Sequence, residues 1–170
     1  MAIYPAPPPR LSGKIDHMSK SLSPAAHDHI FGLITTGPFA SHVGLTVEYA
    51  EIDRVVIRMP GEAHIMNGVG IAHGGAIATL IDTAATAAAW ASSEVKDTTR
   101  GTTVALTINY LSGAPQSDLL AEGQVVSRGG TLTIIDVTAR TADGTHTIAK
   151  AQVTYKLDLA RDRRLANKAE

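Results

Sequence analysis

The segment spanning residues 73–92, "HGGAIATLIDTAATAAAWAS", restricts the fold of this chain more than any other stretch. Eight alanines lie between Ala76 and Ala91. Because alanine is the best helix former, we predict a helix from about His73 to Glu94. A helix that is apolar on most faces needs cover on most sides. Its small side chains let the covering layer come near, so we expect a sheet that wraps closely around this helix.

Two elements are predicted before this helix. A first helix begins at Ser23 and ends near Thr36, where a Gly-Pro pair follows. Residues 44–60 alternate between apolar and polar side chains on both sides of Ile52-Asp53. This period-two pattern with a central break is typical of a β-hairpin.

Four strands are predicted after the helix, separated by Gly, Pro or Asp turn signals. They cover residues 102–112, 119–128, 131–141 and 146–157. Because helices and strands are segregated instead of alternating, the predicted class is α+β with a mainly antiparallel sheet. A chain of 170 residues suits one domain. We expect a flexible proline-rich arm at residues 1–22, a single domain at 23–157 and a charged tail at 158–170.

Composition excludes several classes of function. The formal net charge is −1, and the basic residues are scattered, which argues against a nucleic-acid-binding face. The absence of cysteine excludes disulfides, thiolate metal sites and a cysteine nucleophile. The first ten residues lack the pattern of a secretory signal, and Asp82 interrupts the apolar run 76–92, which argues against a membrane span. We therefore predict a cytoplasmic protein.

The start of the central helix has the properties of an anion-binding end. The first N–H groups of a helix have no acceptor within the helix and carry partial positive charge. Gly74 and Gly75 lack a Cβ, so the oxygen of another molecule can come close to these N–H groups, as in an oxyanion hole. Asp82 follows on the same helix and shares its face with Thr79 and Thr86. Because an isolated buried carboxylate is costly, its presence predicts a functional role.

Three other sites are not favoured by the sequence. A dinucleotide fingerprint requires glycine at the position of His73. In "HDH" at residues 27–29, the two imidazoles are two positions apart on a helix and face different ways, so no metal site is predicted. The nucleophile elbow of α/β-hydrolases, G-x-S-x-G, is absent.

Asn67, "HGG" at residues 73–75, Leu80 and Asp82 together resemble the motif of the hot-dog-fold acyl-CoA thioesterases of the PaaI type. The later "TINYLSGA" and "GTHTIAKAQVTYKL" resemble strands of the same family, and the likeness covers roughly residues 40–157. The resemblance implies a hot-dog fold, in which an antiparallel sheet wraps a long helix. It also implies hydrolysis of a short-chain, medium-chain or aromatic acyl-CoA without a metal or organic cofactor.

The resemblance also implies a role for individual residues. Asp82 matches the catalytic carboxylate, acting as general base on water or as nucleophile, and the N–H of Gly74 matches the donor that polarises the thioester carbonyl. Asn67 matches the amide near the leaving sulfur and the attacking water. A hydroxyl residue holds this water in some relatives, and Thr86 and Thr103 are both candidates.

The residues predicted to bind substrate form two groups. The first comprises His73 and Gly75, which flank Gly74; the family gives His73 a loop-fixing role and no part in the chemistry. The second comprises Arg128, Gly129 and Gly130, in the stretch where relatives contact the nucleotide end of CoA.

The resemblance further implies a homo-oligomer, dimer or tetramer, with its active site between subunits. Asp82 of one protomer is expected to face Asn67 and Gly74 of its partner.

Two rival functions share this fold: a hydratase or dehydratase, and a non-catalytic acyl-CoA-binding protein.

Overall fold

The computed structural model describes residues 21–159. The elements in chain order are α1 (Pro24–His29), a π-helical turn (Ile30–Ile34), α2 (Pro38–His42), β1 (Thr46–Glu51), β2 (Arg54–Met59), a 3-10 turn (Ala63–Ile65), α3 (Gly74–Trp90), β3 (Gly101–Tyr110), β4 (Leu119–Arg128), β5 (Leu132–Thr141) and β6 (Thr147–Leu157). The predicted arm, apart from residues 21 and 22, and the predicted tail, apart from residues 158 and 159, lie outside the described residues. None of the helices in the described range is long and apolar enough to cross a membrane.

Within this range the strands form one antiparallel sheet in the order β1-β2-β4-β5-β6-β3. The predicted hairpin at residues 44–60 is confirmed as β1 and β2, and its turn places Asp53 at a φ of 65°. Strand β3 follows α3 in the chain but pairs with β6 at the far side of the sheet. Strands β1 and β3 are therefore the two edges.

Helix α3 lies against one face of this sheet and contacts β2, β3, β4, β5 and β6. Strand β4 approaches the helix closely, since a Cβ on Gly123 would lie 2.6 Å from the carbonyl oxygen of Ala84 and 3.2 Å from the Cβ of Ala88. Interiors packed this densely leave no room for an added methyl group. The α+β architecture, with the sheet covering a long alanine-rich helix, is thus confirmed, and the small side chains do permit the close approach.

The prediction for the end of α3 was too long, because the helix ends at Trp90 instead of Glu94. Backbone groups from two distant segments bond the carbonyl oxygens that follow. The N–H of Asp53 donates to Ala91 O at 2.9 Å, and the N–H of Ser23 donates to Ser92 O at 3.2 Å. These bonds draw the chain out of the helical path.

The predicted first helix begins as expected, with Ser23 as its N-cap and Pro24 in its first turn. It is α-helical only to His29 and continues as the π-helical turn. The Gly-Pro pair that ends it also starts the short helix α2, which the sequence interpretation did not include.

We predict that Gly123→Ala destabilises the protein by about 2 kcal/mol, because the added Cβ overlaps the backbone of α3. The matched control is Gly32→Ala, since a Cβ on Gly32 meets nothing within 4 Å. Urea unfolding followed through the single tryptophan measures both variants. Equal stability of the two variants would contradict the close packing.

Candidate active site

The loop before α3 is shaped by Asn67. Its side-chain oxygen accepts hydrogen bonds from the N–H groups of Val69 at 3.0 Å and Ile71 at 3.2 Å. The backbone N–H of Asn67 donates to Ile71 O at 2.8 Å, and Gly70 supplies the positive φ of 80° that this turn needs. These bonds use the side-chain oxygen alone, so the NH₂ group of Asn67 stays outside the loop's own hydrogen bonding.

The two glycines at the start of α3 have different surroundings. His73 is the N-cap, and its Nδ1 accepts a hydrogen bond from the N–H of Gly75 at 2.9 Å. The N–H of Gly74 has no acceptor among residues 21–159. Of the two predicted glycines, Gly74 therefore presents the available donor, while the N–H of Gly75 serves the cap.

Asp82 lies half-buried on a stripe of α3 that the sheet leaves partly uncovered. Its Oδ1 accepts a hydrogen bond of 2.7 Å from the hydroxyl of Thr103 on β3. Thr86 is also half-buried on this helix, but no hydrogen bond joins it to Asp82 in the described part of the chain. The structure therefore brings Thr103, and not Thr86, to the carboxylate.

A buried tyrosine lies next to this pair. Tyr155 is the register partner of Thr103 on β6, and its oxygen accepts a 2.9 Å hydrogen bond from the indole N–H of Trp90. Burial is the main cause that raises the pKa of the Tyr155 hydroxyl; the hydrogen bond from Trp90 opposes the shift, and the charge of Asp82 adds to it. The tyrosine therefore stays neutral beside Asp82.

The sequence interpretation missed a second tyrosine. Tyr110, the last residue of β3, donates its hydroxyl to the carbonyl oxygen of Gly74 at 2.9 Å. A tyrosine at the end of a strand carries no local pattern that would reveal a contact with a helix 36 positions earlier in the chain. The only available signal was that β3 contains the candidate Thr103.

Arg128 is bound within the protomer. Its guanidinium donates to Asp53 Oδ1 through Nε at 3.0 Å and through Nη2 at 2.5 Å, and Nη1 donates to Ala89 O at 2.8 Å. The side chain is 19% exposed. It therefore pairs with Asp53 and covers the negative end of the α3 dipole.

Arg128, Gly129 and Gly130 nevertheless share one cleft of about 210 Å³, which Glu94 and Leu159 complete. Contact of this cleft with the nucleotide end of CoA stays a prediction.

The histidines of "HDH" have separate partners. His27 stacks on Phe31 with ring centroids 4.6 Å apart, and His29 stacks on Trp90 with centroids 4.1 Å apart. The two imidazoles therefore face different neighbours, which agrees with the poor chelating geometry expected from their spacing.

Sequence comparisons connect this geometry to known proteins. The family model described as "Thioesterase superfamily" matches residues 69–148, which include α3 and β3. A Halobacterium salinarum protein named "Putative esterase VNG_1336C" is 33% identical over 104 residues, covering 59% of this chain and 68% of that protein.

Solved structures agree with these matches. Zebra fish thioesterase superfamily member 2 is 29% identical, with a TM-score of 0.67 over 80% of this chain and 99% of that chain. A hypothetical thioesterase from Streptococcus pneumoniae, in a crystal structure with coenzyme A, is 25% identical, with a TM-score of 0.59 over 67% and 85% of the two chains. The expected hot-dog fold is thereby confirmed.

Arg128→Ala is predicted to lower the free energy of unfolding by about 2 kcal/mol, since Asp53 and the end of α3 lose charge-assisted hydrogen bonds. Arg100→Ala is the control, because within residues 21–159 the Nη1 of exposed Arg100 donates to carbonyls of its own turn, Asp97 O and Thr99 O. Arg100→Ala should lower the free energy of unfolding by no more than about 0.5 kcal/mol. Chemical unfolding measures both. Unchanged stability in Arg128→Ala would show that the arginine has no structural role.

Proposed function

Because this chain belongs to the Thioesterase superfamily, we propose that it is an acyl-CoA thioesterase. In the proposed reaction, water and a short-chain, medium-chain or aromatic acyl-CoA give the free acid and CoA. The observation that carries the proposal is the hydrogen bond from Thr103 to Asp82. Asp82 is the single charged residue of α3, and the first N–H of this helix has no acceptor among residues 21–159. The motif around Asn67, "HGG" and Asp82 supports the PaaI type within the superfamily.

The mechanism follows from what these groups can do. Asp82 takes a proton from a water that Thr103 helps to hold, and the water oxygen attacks the thioester carbonyl carbon. The N–H of Gly74 stabilises the negative charge on the carbonyl oxygen, and the thiolate of CoA leaves and takes the proton that Asp82 received from the water. One oxyanion donor contributes about 10² to 10³ in rate. A positioned base contributes about 10² to 10⁴. We assign the NH₂ group of Asn67 to the leaving sulfur.

Asp82 as nucleophile is the alternative path. It would form a mixed anhydride with the acyl group, which water then cleaves. In the anhydride path, water attacks the Asp82 carbonyl carbon, so a single turnover in ¹⁸O-water leaves ¹⁸O on the Asp82 carboxylate and an unlabelled protein oxygen in the acid. In the water path the ¹⁸O enters the acid. We favour the water path, since Thr103 bonds Oδ1 and can orient a water beside the carboxylate.

The site is proposed to lie between two protomers. Gly74 and Asp82 are eight residues apart on one helix, which is about 12 Å along its axis. A general base must lie about 3 Å from the atom whose proton it takes, or one water away, so one helix cannot readily bring both groups to the same carbonyl. Two helices packed side by side in opposite directions place Asp82 of one protomer near Asn67 and Gly74 of its partner.

The edge strand β3 supports such a dimer. It carries exposed apolar side chains, and one edge of its backbone has no neighbouring strand among residues 21–159. The exposed apolar residues of β3 and its end are Val104, Leu106, Tyr110 and Leu111. Unpaired strand edges and apolar patches are typical of interfaces. Assembly of dimers into a tetramer and a cytoplasmic location stay predictions.

An acyl-CoA substrate is supported by the pneumococcal relative that binds CoA. The test is to incubate the purified protein with a panel of acyl-CoAs and to measure released CoA with a thiol reagent. A chain without cysteine gives no background in this assay. We predict turnover of at least one acyl-CoA, and a loss of roughly 10² or more in kcat for Asp82→Asn. Binding without turnover would instead favour the non-catalytic acyl-CoA-binding protein, and hydration of an enoyl-CoA would favour the hydratase.

Thr103→Val is predicted to lower kcat at least about 10-fold, because it removes the hydroxyl that bonds Asp82 while keeping the side-chain shape. Thr86→Val should have a smaller effect, since this hydroxyl does not bond the carboxylate in the described structure. Thr107→Val, on the outer face of the same strand, controls for the loss of a strand hydroxyl and should retain the wild-type kcat. A larger loss in Thr86→Val than in Thr103→Val would reverse the assignment.

A further inference from the structure

Tyr110 has no part in the proposed mechanism, yet it touches the residue that supplies the oxyanion donor. Its hydroxyl donates to the carbonyl oxygen of Gly74 at 2.9 Å. Its ring also lies beside this glycine, since a Cβ on Gly74 would be 3.7 Å from the ring carbon that carries the hydroxyl. The tyrosine therefore holds the first residue of α3 from the side of β3.

A β-bulge gives Tyr110 this position. Side chains alternate between the two faces of a strand, so residues seven positions apart normally point to opposite faces. The register between β3 and β6 shifts between Thr103 and Ala105, which inserts one extra residue. Thr103 and Tyr110 consequently both face α3, one against Asp82 and the other against Gly74. Strand β3 thus contacts both groups that the proposed reaction uses.

The start of α3 needs such support. Two consecutive glycines have more backbone freedom than any other pair, and the first turn of a helix lacks part of its hydrogen bonding. His73 fixes the N–H of Gly75, whereas the carbonyl of Gly74 lies in the first turn of the helix's own hydrogen-bond ladder. The hydroxyl of Tyr110 bonds this carbonyl and restricts the Gly74 backbone from the other side.

We propose that Tyr110 is a positioning residue, whose hydroxyl fixes the Gly74 backbone so that the Gly74 N–H is aimed at the thioester carbonyl. An oxyanion donor works only when it is held in place before charge develops. The effect on catalysis rests on the proposed function, whereas the effect on the Gly74 backbone does not.

The kinetic test is Tyr110→Phe, which keeps the ring and removes the hydroxyl. The kcat should fall about 10-fold while KM changes less than about twofold, because the lost interaction orients a group that acts in the transition state. Tyr49→Phe is the matched control on β1, at the opposite edge of the sheet, and should keep the wild-type kcat.

Double mutants decide whether Tyr110 acts through Gly74. In a protein that already carries Gly74→Ala, Tyr110→Phe should cause little further loss of kcat, because the Gly74 N–H is already obstructed. In the double mutant with Thr103→Val, the two fold-losses of kcat should multiply. A wild-type kcat in Tyr110→Phe would overturn the proposal. So would a double mutant of Tyr110→Phe and Gly74→Ala in which the two fold-losses of kcat multiply fully.

A measurement without substrate separates this inference from the proposed function. Backbone amide signals of ¹⁵N-labelled protein should show shifted resonances and faster hydrogen exchange at Gly74 and Gly75 in Tyr110→Phe, but not in Tyr49→Phe. If the wild type hydrolyses no acyl-CoA and these amides change as expected, the proposed function fails and the fixing of the Gly74 backbone stands. Unchanged amides at both glycines would refute the positioning role even in an active enzyme.

Discussion

The close contact between α3 and the sheet sets the position of everything else in the site. At Gly123 the strand backbone approaches the helix so closely that not even a methyl group fits between them. Contacts at both ends complete the restraint: Arg128 bonds the last carbonyls of the helix, and Tyr110 bonds its first residue. A helix held at its middle and both ends keeps its N–H groups and its one carboxylate in fixed places, as catalysis by preorganised dipoles requires.

Asp82 is the single charged residue of α3, and its partial burial costs free energy. Most of α3 is apolar and covered, and the carboxylate lies on the stripe that the sheet leaves partly open, where the hydroxyl of Thr103 bonds it. The same stripe is lined by small or hydroxyl-bearing side chains, so a second helix can approach it closely. In the proposed dimer, the uncovered stripe becomes the place where the carboxylate of one protomer meets the helix start of its partner. The exposed apolar residues of β3 are then part of the interface.

The sequence predicted what depends on local pattern and left open what depends on contacts between distant segments. Alanine content and period-two alternation revealed the central helix and the strands, because both signals are contained in short windows. The end of the helix at Trp90 was missed because backbone bonds from Asp53 and Ser23 determine it. The choice between Thr86 and Thr103 stayed open because a bulge in β3 decides which side chains face the helix. Motif resemblance named the candidate site residues, but it carried no information on how the neighbouring strand holds them.

Mixing two impaired variants shows whether each active site combines Asp82 of one protomer with Gly74 of its partner. Purified Asp82→Asn and Gly74→Ala are combined in equal amounts, allowed to exchange subunits, and assayed for CoA release. Recovery of about a quarter of the wild-type rate is expected, because half of all two-fold dimers are then mixed and each mixed dimer contains one intact site out of two. A mixture that stays as inactive as the separate variants, after subunit exchange has been verified, would contradict a site shared between protomers.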